Sequence, residues 1–293
     1  MALSEEVLKK VRLLDISTRK LVNNLLAGEY HTAFKGSGMT FADFREYVAG
    51  DDVRSISWTL MARTGKPYIK RFDEERELTL MLAVDVSGSG DYGSGPYLKS
   101  EIMAFIAAAL GFSAARNNDR IGLLLFTDRV ELFVPPKKGK AHVQRILSEI
   151  ISFQPNHRGT SLEVAIDQLM QGLKKKSTIF ILSDFYDKEF ERPLRQLGQK
   201  HDAIAVLVQD PTENEIPSMG LVSFHDAESG EQVVVDTSDS LFRKHFKEQT
   251  EKMSKQREAQ LRKSRVDIVK IDNGEKFIDP LLGYFRNKNR LRR

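Results

Sequence analysis

Between residues 78 and 271, short runs of Leu, Val and Ile alternate with helical segments, and that alternation confines the chain to an α/β architecture. The expected strands are 78–84, 121–126, 178–182, 203–208 and 266–271. Helices expected at 98–116, 140–152, 161–174, 189–199 and 239–264 fall between or beside them. Strands separated by a helix pair in parallel. Segment 130–134 follows its predecessor so closely that only a hairpin fits, so one antiparallel strand is expected. The spacing predicts a doubly wound, mostly parallel, Rossmann-like sheet. Segments 221–225 and 232–236, joined through Glu228-Ser229-Gly230-Glu231, read as a second hairpin.

The upstream part has a different texture. Val7, Val11, Leu14, Leu21, Leu25 and Leu26 recur at helical spacing, which predicts one or two opening helices. From 28 to 77, Gly36 and Gly38 punctuate, Gly50-Asp51-Asp52 reads as a turn, and Ile56-Ser57-Trp58 and Tyr68-Ile69-Lys70 read as short strands. Asp51 is expected to bond nearby amides, Arg54 to pair with a carboxylate, and Trp58 to anchor a core. The organisation is therefore a smaller mixed α+β module at 1–77, an α/β domain at 78–285 and a basic tail at 286–293, the tail being expected to fray in solvent.

Composition removes several functions. The 293 residues include no Cys, which excludes disulfide scaffolds, thiolate metal sites and cysteine nucleophiles. Lys and Arg number 45 against 41 acids, and five of those bases lie in the tail, so a strongly cationic nucleic-acid binder is not the expectation. The start, MALSEEVLKKVRLLD, carries acids early and has neither the apolar core of a signal peptide nor a membrane span. A cytoplasmic protein is expected.

Ligands of an open parallel sheet collect at the carboxyl ends of its strands, near the point where strand order reverses. The first strand leads into Asp85-Val86-Ser87-Gly88-Ser89. Arg158-Gly159-Thr160-Ser161 stands just ahead of a helix, and Ser183-Asp184 follows strand 178–182. Asp85, Ser87, Ser89, Thr160 and Asp184 form a set of hard oxygen donors without His or Cys, which suits Mg²⁺, or Mn²⁺, rather than zinc. Magnesium retains waters, so an acidic side chain from a protein partner would complete its shell. The structural alternative makes Ser87, Thr160 and Asp184 helix caps and binds Asp85 to amides of its own loop.

Three enzymatic or ligand-binding alternatives compete. A metal-dependent phosphoester hydrolase would use Asp85 as nucleophile, although the second acid such chemistry commonly wants is replaced by Ser87. A phosphate-cradling loop at 88–95 would need Lys and Ser or Thr directly after its last Gly, where Pro96 stands and Lys99-Ser100 falls too late. Those glycines are instead read as a flexible rim. No Gly-x-Ser-x-Gly elbow accompanies the histidines, so His157 is read as a rim or structural residue. The helix 239–264, with Phe242, Phe246, Met253 and Leu261 among many charges, is expected to pack on the sheet.

The order Asp85-x-Ser87-x-Ser89, then Thr160, then Asp184 resembles the metal-ion-dependent adhesion site of von Willebrand factor type A domains. That resemblance implies that Ser87, Ser89 and Thr160 touch the metal while Asp85 and Asp184 act largely through water. Gly36-Ser37-Gly38-Met39-x-Phe41, Arg45-x-Tyr47, the run from Gly50 to Trp58, Ala62-Arg63, Arg71, Glu75 and Val235-Asp236-Thr237 are similar to the bacterial family called domain of unknown function fifty-eight. Ser57 and Gly90 depart from its usual pattern of an acid before the Trp and a bulkier residue after the second serine. Membership implies an intracellular type A domain, often encoded beside a MoxR-type AAA+ ATPase and acting with it or its client in complex assembly or metal insertion; the function expected from these residues is that of a non-enzymatic, metal-dependent interaction module.

Overall fold

A computed structural model of the chain describes residues 40–73, 77–225, 232–274 and 276–291. The opening helices expected near 3–27, the Gly36-Ser37-Gly38 segment, Glu75 and the turn at 228–231 lie outside the described residues. Contacts divide the chain into a smaller unit ending at Leu78 and a larger one beginning at Thr79.

In the smaller unit, β1 (Thr40–Glu46) and β2 (Tyr68–Asp73) pair antiparallel, and a short helix α1 (Trp58–Thr64) lies between them in sequence. The strand expected at 56–58 is reduced to one bridge between Ile56 and Ile69, because Ser57 and Trp58 open α1 instead. Gly50 and Gly65 adopt φ of 112° and 72°, a left-handed path open to glycine at little steric cost. Asp51 accepts from the Val48 amide as expected, and Arg45 binds both of its carboxylate oxygens at 2.7 and 2.9 Å. Asp52 accepts from the Arg54 amide. Trp58 is 62% exposed and anchors no core, which corrects the reading of its indole.

The larger unit is a six-stranded sheet flanked by helices. Its strands are β3 (Thr79–Asp85), β4 (Arg120–Phe126), β5 (Val130–Lys137), β6 (Thr178–Ser183), β7 (Asp202–Gln209) and β10 (Asp267–Asp272), in the spatial order β10-β7-β6-β3-β4-β5. All neighbours are parallel except β4 and β5. The central strands read TLMLAVD, TIFILS and DAIAVLVQ, near-continuous apolar runs that are buried on both faces, as a parallel sheet between helical layers requires. At one edge β5 runs through Pro135 and Pro136, residues tolerated where a ladder ends.

Helix α2 (Lys99–Arg116) is buried at almost every position from Ile102 to Ala114, whereas α3 (Lys140–Ser152) and α4 (Leu162–Gly172) bury one stripe each. Beneath α4 and α5 (Glu191–Lys200), Met81, Leu124, Phe126, Leu169, Ile181 and Leu194 join a common core. Strands β8 (Leu221–His225) and β9 (Gln232–Asp236) form the second hairpin at the expected positions. Helix α6 (Ser240–Lys263) buries only Arg257 and Leu261, and Met253 is exposed; its first half is held by polar contacts, Arg243 to the Thr237 carbonyl and Lys247 to Glu215. The last described element is α7 (Asp279–Leu291), with Leu281, Leu282 and Phe285 buried and Lys288 paired to Asp202 and Asp267. Residues 286–291 are thus helical rather than frayed.

Candidate functional site

The strand order places the switch point between β3 and β6. From β3 the chain continues to α2 and β4 on one side, and from β6 to α5 and β7 on the other. The carboxyl ends of these two strands carry Asp85 and Ser183-Asp184, the position at which doubly wound sheets bind ligands.

Asp85 is 3% exposed. Its Oδ1 accepts from the Ser87 amide at 3.0 Å and its Oδ2 from the Ser183 hydroxyl at 2.7 Å. Burial drives its pKa upward, the charge of Asp184 adds to the rise, and hydrogen bonds from Ser183 and Ser87 offset part of it, leaving a value of about 7. A tight turn at Gly88–Asp91 then brings the Ser87 and Ser89 hydroxyls to 3.1 Å from each other. The loop carrying Thr160 is drawn alongside by two backbone bonds, Gly88 N to Arg158 O at 3.0 Å and Ser161 N to Thr127 O at 2.9 Å. Ser161, not Thr160, caps α4, and Asp187 accepts from the Leu162 amide. Thus the loops bearing all five expected residues meet at one end of the sheet.

Asp184 is 1% exposed and fully engaged. Its Oδ2 accepts from Lys99 Nζ at 2.9 Å, its Oδ1 from the Tyr186 amide at 3.3 Å, and its carbonyl from Arg257 at 2.8 Å. Phe185, the next residue, has a φ of 56°, a costly left-handed turn for an aromatic residue. Its ring is buried edge-on against Phe190 at 5.6 Å, and its amide donates to the Ser183 hydroxyl. Core packing therefore fixes the direction in which the Asp184 carboxylate leaves the strand.

Sequence reasoning missed Lys99, Glu213, Ser183 and Arg257. Lys99 is 2% exposed, and its ammonium bridges Asp184 and Glu213. Burial alone would lower its pKa, but the two carboxylates outweigh burial and hold it above the ordinary lysine value. One signal was available: a cation in the first turn of a helix opposes the macrodipole, so a Lys opening an otherwise apolar helix calls for acidic partners. Arg257, from α6, lies over the Tyr186 ring at 4.3 Å and reaches Gln209.

The glycine-rich segment is pinned rather than flexible. Asp210, buried at the end of β7, accepts from the Ser94 amide and hydroxyl, from the Thr212 amide and hydroxyl, and from Asn273 Nδ2. Burial alone would raise the Asp210 pKa, but these donors outweigh it and hold the group well below the usual carboxylate range. Tyr92 closes the arch through its hydroxyl to Thr212 at 2.7 Å.

The donor set suits a hard cation. Hydroxyls 3.1 Å apart match an edge of an octahedron whose oxygens lie about 2.1 Å from the metal, an edge of about 3 Å. Among the described residues no three His, Cys, Asp or Glu side chains cluster as a metal site, so such an ion would depend on the hydroxyls. Also among the described residues, no helix is long and apolar enough to cross a membrane.

An open α/β sheet, parallel but for one edge strand, with buried carboxylates and hydroxyls at its switch point, is the class that fold and site define. Within it, the chain belongs to the family described as "Protein of unknown function DUF58", whose model matches residues 43–257. Over 223 residues it is 32% identical to the uncharacterized protein Rv1480 of Mycobacterium tuberculosis, covering 75% of this chain and 70% of that one. A 100-residue stretch is 32% identical to the uncharacterized protein MAV169 of Mycobacterium avium, covering 33% of this chain and 59% of that one. The crystal structure of conserved hypothetical protein BatB from Bacteroides thetaiotaomicron superposes with a TM-score of 0.50 at 14% identity, over 73% of this chain and 99% of that one. That likeness bears on the fold alone.

Proposed function

We propose that the larger unit is a von Willebrand factor type A-like, non-enzymatic interaction module that holds Mg²⁺ at the β3–β6 switch point and binds an acidic side chain of a partner protein through it. The observation that carries this reading is the Ser87–Ser89 hydroxyl pair, which share a hydrogen bond at 3.1 Å, a spacing that also fits an octahedral edge, next to the buried Asp85 carboxylate. Ser87, Ser89 and Thr160 would face the ion, with Asp85 and Asp184 behind them supplying negative charge through water. The ion would supply one open coordination position for a carboxylate from outside. The buried Asp184 charge adds to the cost of ionising Asp85, which a divalent cation would relieve. The partner class implied by family resemblance is a MoxR-type AAA+ ATPase or its client.

Phosphoester hydrolysis with Asp85 as nucleophile fits less well. Both of its oxygens are held by hydrogen bonds, and a 3% exposed carboxylate has little room for in-line attack.

Calorimetric titration with Mg²⁺ tests the proposal. Binding by the wild type and its loss in a folded Asp85→Ala variant are expected; equal affinity in both would remove the mechanism. Turnover of generic phosphoesters abolished by Asp85→Asn would replace it with the hydrolase.

A further inference from the structure

We propose that Lys99 is a positioning residue that keeps Asp184 out of direct contact with the site's cation, so that the site binds a divalent ion weakly until a partner's carboxylate arrives. The inference rests on the cation reading above and specifies how that site is regulated.

Each Asp184 acceptor already has a donor: Lys99 Nζ on Oδ2, the Tyr186 amide on Oδ1 and Arg257 on the carbonyl. To bind a metal directly, Oδ2 would have to take the ion on its remaining lone pair beside a buried ammonium at 2.9 Å, where the two positive charges repel. The ammonium cannot readily withdraw. Its stem is the first turn of α2, a helix buried at almost every position from Ile102 to Ala114, and Glu213 holds it from the other side. The Glu213 carboxyl is itself fixed in the turn that follows Asp210. Lys99 thus acts on the cation in two ways. It holds Asp184 Oδ2 in an ion pair, and it neutralises part of the negative charge that would attract a divalent ion. An ion held mainly by neutral hydroxyls is under-neutralised, and an incoming carboxylate restores the balance. The arrangement favours occupancy together with a partner over occupancy alone.

The test is Mn²⁺ binding to the full chain, followed by calorimetry and by electron paramagnetic resonance line broadening in ¹⁷O-enriched water, which counts bound waters. The variant Lys99→Met/Glu213→Gln removes the ammonium together with one of its acids, so the net charge of the cluster is unchanged while Asp184 loses its partner. It should bind Mn²⁺ about tenfold more tightly than wild type, a change typical of altered outer-shell contacts, with one water fewer on the ion. Adding Asp184→Asn should return the affinity to the wild-type level or below. Lys99→Arg, which keeps a cation on Asp184, should bind like wild type. If the methionine variant does not fold by circular dichroism, Lys99→Gln is the second neutral variant and carries the same expectation.

A neutral variant that binds no more tightly than wild type overturns the inference. So does a gain that survives Asp184→Asn, because bulk charge and not Asp184 would then be responsible. Absence of any Mn²⁺ binding by wild type counts instead against the cation reading. In that case the neutral variant still decides the inference, supporting it by Asp184-dependent binding and overturning it by none.

Discussion

The Ser183 hydroxyl donates to Asp85 Oδ2 at 2.7 Å, tying the ends of β6 and β3 together across the switch point. The same hydroxyl accepts from the Phe185 amide at 2.9 Å. Ser183→Ala removes a donor from one buried group and an acceptor from another, so it should destabilise the protein by about 1–3 kcal/mol, the usual cost of stranding buried polar groups. Urea unfolding measures it; a loss within the range of ordinary surface substitutions, under about 0.5 kcal/mol, would mean that the tie is dispensable.

Asp85 sets a pH dependence of defined sign. Its folded pKa, about 7, lies above the ordinary carboxylate value, so the folded state holds this proton more tightly than the unfolded state does. The group therefore takes stability away as pH rises from about 4 to about 7, where the folded protein must ionise a buried carboxyl. Asp85→Asn has no such proton to lose. The stability difference between wild type and this variant should move against wild type over that interval, and a difference independent of pH would contradict the assignment.

Asp210 holds the Ser94 arch in place. Asp210→Ala strands the Ser94, Thr212 and Asn273 donors, with an expected cost of about 3 kcal/mol. It should also open the segment 92–98, where Tyr92, Tyr97 and Leu98 are sites for chymotrypsin. Faster cleavage there than in wild type is the readout, and equal rates would show that the arch stays closed without its anchor.

Arg257 ties α6 to the site. Arg257→Met retains an apolar stem but loses the bond to the Asp184 carbonyl and the contact with the Tyr186 ring, so the turn after β6 should loosen. Hydrogen exchange at the Phe185 and Tyr186 amides should accelerate at least tenfold, about 1.4 kcal/mol of local protection. Unchanged exchange would confine the arginine to a packing role.

Much of the architecture was legible. Strands β3, β4, β6, β7 and β10 lie within a residue or so of the expected spans: apolar runs buried on both faces leave the first four little choice of register, and β10, at the edge, alternates buried and exposed residues. The β5 strand ran beyond expectation since an edge tolerates Pro135-Pro136. Helix α7 escaped because its basic residues suggested a solvated tail, while Leu281, Leu282 and Phe285 supply the apolar face that decides the matter. At the site, the loops bearing Asp85, Ser87, Ser89, Thr160 and Asp184 were brought together as the strand ends implied. Lys99 and Glu213 were not found, since they lie 114 positions apart and meet only through the fold. Trp58 shows the opposite failure, in which an aromatic type suggested burial that the small unit does not provide.

Phe185 carries a wider consequence. A left-handed backbone at a bulky residue costs about 1–2 kcal/mol, offset here by the ring packed beside Phe190 and by the bonds that Ser183 and Arg257 make to the turn. The aim of the Asp184 carboxylate is therefore set in part by the oily layer beneath α5, and not only by the polar groups that touch it. Damage deep in that layer would turn the acid away from its neighbours while leaving every polar group of the site chemically intact.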